Sequence, residues 1–306
     1  MPMKIASHNV EFLFVEGEHE HSGKTWTYTP EYVESRINHF AKLFAKLDAD
    51  ILFLQELASQ AVLDRIINKS GIPYLSFMAV SDNYGVGNAV LYKSKDCVCD
   101  SVPATTSLPV FVEGDQDAIG ARVWSRRDFV RVTTNYNDNP IMLIGIHIKA
   151  GFAMPIKSKK DVAYPMETQI DRADGLIRSE FFRFAQARKV RQLVDEQLRD
   201  PNASVVVTGD FNSDEKFAPY RIITGEIKTA ADSLASAAQK IPESERFTVL
   251  NKGKKLLIDH ILFSKNLEPS VKEVVILNKD LREHKNVHPS PAYVESDHAP
   301  LLLELA

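Results

Sequence analysis

The sequence predicts an α/β (α+β) protein in which two mixed sheets are layered face to face and flanked by helices. Three observations carry this. Antiparallel hairpin patterns alternate with strand–helix–strand units, a mixture that calls for layered sheets with helices outside. The runs "ADILFLQE" and "ASVVVTGDFN" are continuously apolar, as in strands covered on both faces. No repeat, low-complexity tract or Gly/Ser/Pro-rich linker interrupts the 306 residues, so a single domain spanning 1–306 is expected.

Taken in order, "MKIASHNV" reads as a strand over 3–10, followed by a polar, His-rich loop, "EGEHEHSGKTWTYTP". The next segment is an amphipathic helix. Thr29 caps it, Pro30 and Glu31 suit its first turn, and Val33, Ile37, Phe40, Leu43, Phe44 and Leu47 form its apolar stripe. A buried strand, "ADILFLQE", leads to a second helix, "QAVLDRIINKSG", stopped by Gly71. "YLSFMAV", "NAVLYKS" and "CVCDSVPATT" read as strands. "RRDFVRVTTNYNDNPIMLIGIHIKA" reads as a hairpin turning at "NDNP". Residues 152–174 are expected as a long loop, 175–199 as a helix and 214–245 as a helix-and-loop region. "KLLIDHILFS", "VKEVVIL" and "APLLLEL" close the chain as strands.

Composition narrows the function. No run of 18 or more apolar residues appears, as a membrane-spanning helix would need. No secretory signal pattern is seen at the start, so a cytoplasmic location is expected, or secretion with a signal already removed. Cys97 and Cys99 lie two apart on one strand and are too few for a disulfide framework or a zinc cage. The net charge of −4 argues against a protein basic all over. Between Lys149 and Arg191, however, ten Lys/Arg stand against five acids, a local excess suited to phosphates or to a solvated helix face.

Several strands end in side chains that a core does not need. Glu56 closes "ILFLQE", where burying a lone carboxylate is costly and a hard cation, Mg²⁺ or Mn²⁺, would offset the cost. In "HNVEF", Asn9 suits a phosphate or a coordinated water, and Glu11 offers a second carboxylate to the metal. Gly209 permits close backbone approach. Asp210 and Asn212 after it share a face, the first to position water or handle a proton, the second to hold a phosphoryl oxygen. In "GIHIKAG", His147 and Lys149 face one way, for proton donation or hydrogen bonding and for phosphate charge. Asp259 is suited to orient His298 as a general base, with Asp297 a further carboxylate for the metal and Ser296 supporting the turn. His260, on the opposite strand face, reads as structural. His8, His19, His21, His39, His284 and His288 show no comparable context. Each junction alone also reads as a turn or a helix start; it is their recurrence at buried strand ends that points to one site.

The motifs "NVE", "DILFLQE", "HIK", "GDFN", "IDHILFS" and "SDHAP", in this order from Asn9 to Pro300, resemble the endonuclease/exonuclease/phosphatase superfamily. The resemblance implies a four-layer α/β/β/α sandwich and Mg²⁺- or Mn²⁺-dependent hydrolysis of phosphate esters. It implies Glu56 as main metal ligand, with Glu11 and Asp297 nearby. Asp210 and Asn212 would position water and phosphate, Asp259 and His298 would be orienting carboxylate and base, and Asn9 would be an active-site neighbour. His147 matches the deoxyribonuclease and sphingomyelinase branches and not the repair-nuclease branch. Arg183 or Arg188, on the Arg-rich helix, would reach phosphate. A monomeric phosphodiesterase or nuclease acting on DNA or RNA is expected. The alternative is a phosphomonoesterase or sphingomyelinase-like enzyme on a small or lipid phosphate ester; an exposed apolar hairpin would favour lipid, and its one candidate, "LPVFV" (108–112), reads as core. A catalytically silent binding module is disfavoured, since every expected polar position is filled.

Overall fold

The structure is a computed structural model that describes residues 2–21, 24–81, 85–104, 127–155, 164–284 and 289–306. The pentad 108–112, Lys157, Lys159, Lys160 and His288 lie outside these residues.

The elements are β1 (Met3–Leu13), β2 (Gly17–His21), β3 (Lys24–Tyr28), α1 (Pro30–Leu47), β4 (Ile51–Leu57), α2 (Gln60–Ser70), β5 (Leu75–Met78), β6 (Gly87–Tyr92), β7 (Val98–Val102), β8 (Phe129–Tyr136), β9 (Asn139–His147), α3 (Gln169–Gln197), β10 (Ser204–Asp210), α4 (Ala218–Thr224), β11 (Leu234–Ser236), β12 (Val249–Asn251), β13 (Lys254–Leu256), β14 (Asp259–Ser264), β15 (Val271–Ile276) and β16 (Leu301–Leu305). Two six-stranded sheets have the orders β15-β16-β1-β4-β6-β5 and β11-β14-β10-β9-β8-β7. Both are mixed: β1 and β4 run parallel, as do β9 and β10, while their other neighbours are antiparallel.

Three apolar clusters mark the layers. One, with Phe40, Phe44, Leu52, Leu54 and Ile66, joins α1 and α2 to the first sheet. Another, with Ile5, Phe53, Val90, Leu143, Val206 and Leu303, lies between the sheets. The last, with Ile144, Val190, Val194, Val205, Val207 and Ile223, joins the second sheet to α3 and α4. Strand alternation sends Val206 one way and Val205 and Val207 the other. The product is the expected α/β/β/α sandwich. Among the described residues no helix is long and apolar enough to cross a membrane.

Local chemistry explains the boundaries. Thr29 accepts from the Tyr32 amide at 3.2 Å and starts α1, and left-handed Gly71 (φ 71°) ends α2. Asn137 and Asp138 (φ 49° and 64°) make the tight turn between β8 and β9.

Several expectations are corrected. The polar loop after β1 is a hairpin, β2–β3, in which Thr25, Trp26, Thr27 and Tyr28 supply strand propensity and Tyr28 is buried. Helix α3 begins at Gln169, inside the expected loop, because Thr168 and Asp171 form a reciprocal capping box. The expected strand 255–264 divides into β13 and β14, and the region 214–245 contributes the edge strand β11.

Candidate active site

Strand register places the chemistry. Asp210, at the end of β10, is paired with His147 on β9 and with Asp259 on β14, so three polar side chains stand abreast on adjacent strands. This alignment needs an unusual backbone at Gly209, where φ is 133° and a Cβ would lie 2.0 Å from the Ile146 carbonyl oxygen. From the facing sheet, β1 delivers Asn9 and β4 delivers Glu56. The register between these strands shifts after Asn9, turning the chain end into a bulge.

Asp210 lies at the centre. Its Oδ2 accepts from Asn9 Nδ2 (3.0 Å) and Asn212 Nδ2 (3.2 Å), and its Oδ1 from the Asn212 amide (2.8 Å). His147 Nε2 lies 3.5 Å from Asp210 Oδ2 and 3.8 Å from Glu56 Oε1. His298 Nδ1 is 2.8 Å from Asp259 Oδ2. Glu56, His147 and Asp210 form one set of mutually close ligand atoms, and Asp210, Asp259 and His298 form another. Seven of the residues expected from sequence, Asn9, Glu56, His147, Asp210, Asn212, Asp259 and His298, therefore converge through these contacts.

The electrostatics fit a cation. Burial pushes the Glu56 carboxyl above the usual carboxylate range. Burial, with Asp259 adding repulsion, pushes Asp210 up to about 7. Desolvated carboxylates that raise one another's proton affinity form a hard, oxygen-rich donor set, which a divalent ion such as Mg²⁺ or Mn²⁺ neutralises. Burial opposes charge on His298, but Asp259 and Asp297 outweigh it and hold that ring well above the ordinary histidine range. Burial and neighbouring Arg127 hold His147 well below that range, in the neutral form.

Other expected residues are placed differently. Glu11 Oε2 is 2.8 Å from His284 Nδ1 and accepts from the Asp297 amide at 3.1 Å, so this carboxylate clamps the C-terminal segment to β1. Among the described residues, neither Glu11 nor Asp297 belongs to either ligand set, although Asp297 Oδ1 lies 3.8 Å from His298 Nε2. Lys149 turns toward α3 and spends its ammonium on Ser179 Oγ and the Ala150 and Phe152 carbonyls, each at 2.8 Å, because the chain leaves the strand at His147. Buried Arg183 donates to the Lys149 and Asn212 carbonyls and to Ser213, supporting these loops from behind. Arg188 is half-buried on α3.

Sequence reasoning missed Arg127, whose Nη1 lies 2.8 Å from His147 Nδ1; the pair "RR" before β8 was its only signal. It missed Arg36, fully buried, which donates to the Glu11 carbonyl at 2.7 Å and braces the β1 bulge. It also missed His8 and His284, whose site partners lie hundreds of residues away.

A sequence model of the Endonuclease/Exonuclease/phosphatase family matches residues 6–298. The chain belongs to this family. Family members are phosphoesterases, and the cluster lies within the matched span. Among solved structures, humanized D. rerio TDP2 carrying 14 mutations is similar at 16% identity, covering 100% of this chain and 99% of that one, with a TM-score of 0.61. A Bacteroides thetaiotaomicron mannosyl-6-phosphatase is similar at 17% identity, covering 99% of each chain, with a TM-score of 0.57. D. rerio TDP2 complexed with single-strand DNA product is similar at 14% identity, covering 100% of this chain and 99% of that one, with a TM-score of 0.57. At such identities the likeness concerns the fold. No curated protein sequence matches the chain.

Proposed function

We propose that this family member is a divalent-metal-dependent phosphodiesterase that cleaves nucleic acid by in-line attack of water. The observation that carries the reading is the 2.8 Å His298–Asp259 pair, set in one cluster with Asp210. In the neutral form of His298, which a cation neutralising Asp210 would favour, Nδ1–H is donated to Asp259 and the other ring nitrogen is the acceptor for a water proton. Asp259 and Asp297 stabilise the imidazolium that results. Asn9 and Asn212 orient the Asp210 carboxylate, which holds the attacking water. Arg127 Nη1 lies 2.8 Å from Nδ1 and 3.1 Å from Nε2 of neutral His147; with Nδ1 as the acceptor from Arg127, Nε2–H is the donor for a phosphoryl oxygen. A divalent cation held by Glu56 and Asp210 would supply positive charge to the phosphoryl and leaving oxygens. TDP2 with its single-strand DNA product supports a diester substrate. A phosphomonoester is the second reading, favoured by the engagement of Lys149 away from the cluster and by the mannosyl-6-phosphatase neighbour.

Plasmid DNA, single-stranded DNA, RNA, nitrophenyl phosphates and sphingomyelin, each with Mg²⁺, Mn²⁺ or EDTA, separate the readings. Nucleic acid should be cut with metal and spared in EDTA, and His298→Ala should lose at least about a hundredfold in rate. Turnover of monoesters alone would replace the diester reading. Near-normal turnover by His298→Ala would remove the mechanism.

A further inference from the structure

His298 stands on an awkward support. Among the described residues of 277–300, which join β15 to β16, none lies in a helix or strand; His298 makes only an isolated bridge to Val249. A base must be held to within about 0.5 Å of its working position, which such a segment does not supply by itself. Strand β1 supplies the restraint. His8 Nε2 lies 3.1 Å from the His298 carbonyl oxygen. A carbonyl only accepts, so this nitrogen carries the hydrogen and donates it. One residue along, the Asn9 carbonyl accepts from Ser296 Oγ at 2.7 Å, and that hydroxyl accepts from the His298 amide at 3.0 Å. The backbone of His298 is thus held at both polar groups, while its ring is held by Asp259.

The His8 ring is an expensive choice for a core strand. It is 2% exposed, and among the described residues its Nδ1 has no hydrogen-bond partner. Phe40 meets the ring edge-on at 5.6 Å. An orphaned buried nitrogen is destabilising, a cost that an aliphatic side chain would avoid. Among the described residues, the hydrogen bond of this ring is to the His298 carbonyl. Burial keeps it neutral, down to a pKa of about 3.

We infer that His8 is a positioning residue for His298: with Ser296, it latches the backbone of that residue to β1 so that the ring meets Asp259 and the attacking water. This rests on the reading of His298 as the base.

The test uses His8→Leu, His8→Gln and Ser296→Ala, each alone and combined with His298→Ala. kcat and KM are measured on bis-p-nitrophenyl phosphate with Mn²⁺, and the downfield Nδ1–H proton of His298 is followed by NMR of histidine-labelled protein. His8→Leu and Ser296→Ala should lower kcat by about tenfold to a hundredfold with KM within about twofold, and should broaden or shift the proton. His8→Gln, which retains a donor, should recover most of the rate. On the His298→Ala background neither should lower the rate further, whereas a general structural defect would add to it. Should His8→Leu not fold, His8→Phe takes its place. An unchanged proton together with an unchanged kcat, or an equal loss on the His298→Ala background, overturns the latch. If His298→Ala itself retains turnover, the base reading fails, and the proton alone decides the latch.

Discussion

Glu11, Phe12, Glu56 and Asn212 all have left-handed backbones, with φ of 48°, 47°, 62° and 47°. Each such residue costs on the order of 1–3 kcal/mol and persists only where its surroundings over-determine it. Here Arg36 holds the Glu11 carbonyl, the Phe12 amide donates to Glu56 Oε2 at 3.2 Å, and Asn212 Nδ2 donates to the Ile148 carbonyl at 2.9 Å. The strain turns strand ends into a site. Gly209 is the extreme case: Gly209→Ala should cost about 2–4 kcal/mol, read from the urea midpoint, because both φ and the Ile146 carbonyl oppose a methyl group. Stability within about 0.5 kcal/mol of wild type would contradict this account. The polar residues at strand ends were legible in the sequence, because a buried strand has no other use for them. Their partners were not: Arg36, Arg127, His8 and His284 act through contacts between distant segments, and apart from the "RR" pair at Arg127 nothing local marks them.

Elements were legible where one period or one cap decided them, as in α1, α2 and the β8–β9 hairpin. The β2–β3 hairpin escaped because its polar, His-rich composition hides the alternation that buries Tyr28. The start of α3 escaped because its capping box lies in a stretch that composition marks as loop. Packing between the sheets was equally hidden. A Cβ at Gly145 on β9 would lie 2.2 Å from Phe53 Cδ1 on β4, so the bare backbone of one sheet receives the ring of the other. Gly145→Ala should therefore cost about 1–3 kcal/mol by overpacking. Combined with Phe53→Leu it should cost less than the sum of the two single changes, the coupling expected of direct contact. Simple additivity in denaturation curves would show that the two do not meet.

At the scale of the molecule, the −4 net charge hides a core containing buried neutral imidazoles. His260 donates Nε2–H to the Ser213 carbonyl at 2.8 Å and packs against Phe211 and Tyr220. Burial lowers its pKa from 6.5 to about 4. The unfolded chain therefore takes up this proton first. The associated stability is complete above pH 6.5 and is lost as pH falls toward 4, by up to about 3 kcal/mol. Urea midpoints should fall through this window in wild type and less steeply in His260→Gln; parallel curves would rule His260 out as the source. The sandwich itself was foreseeable, since both sheets rest on apolar runs. The pairing of β16 between β1 and β15 has a further consequence. During synthesis, Glu56, His147, Asp210 and Asp259 all leave the ribosome before His298 does. On the proposed reading, a nascent chain therefore lacks its base until the segment that fills the gap beside the first strand has emerged.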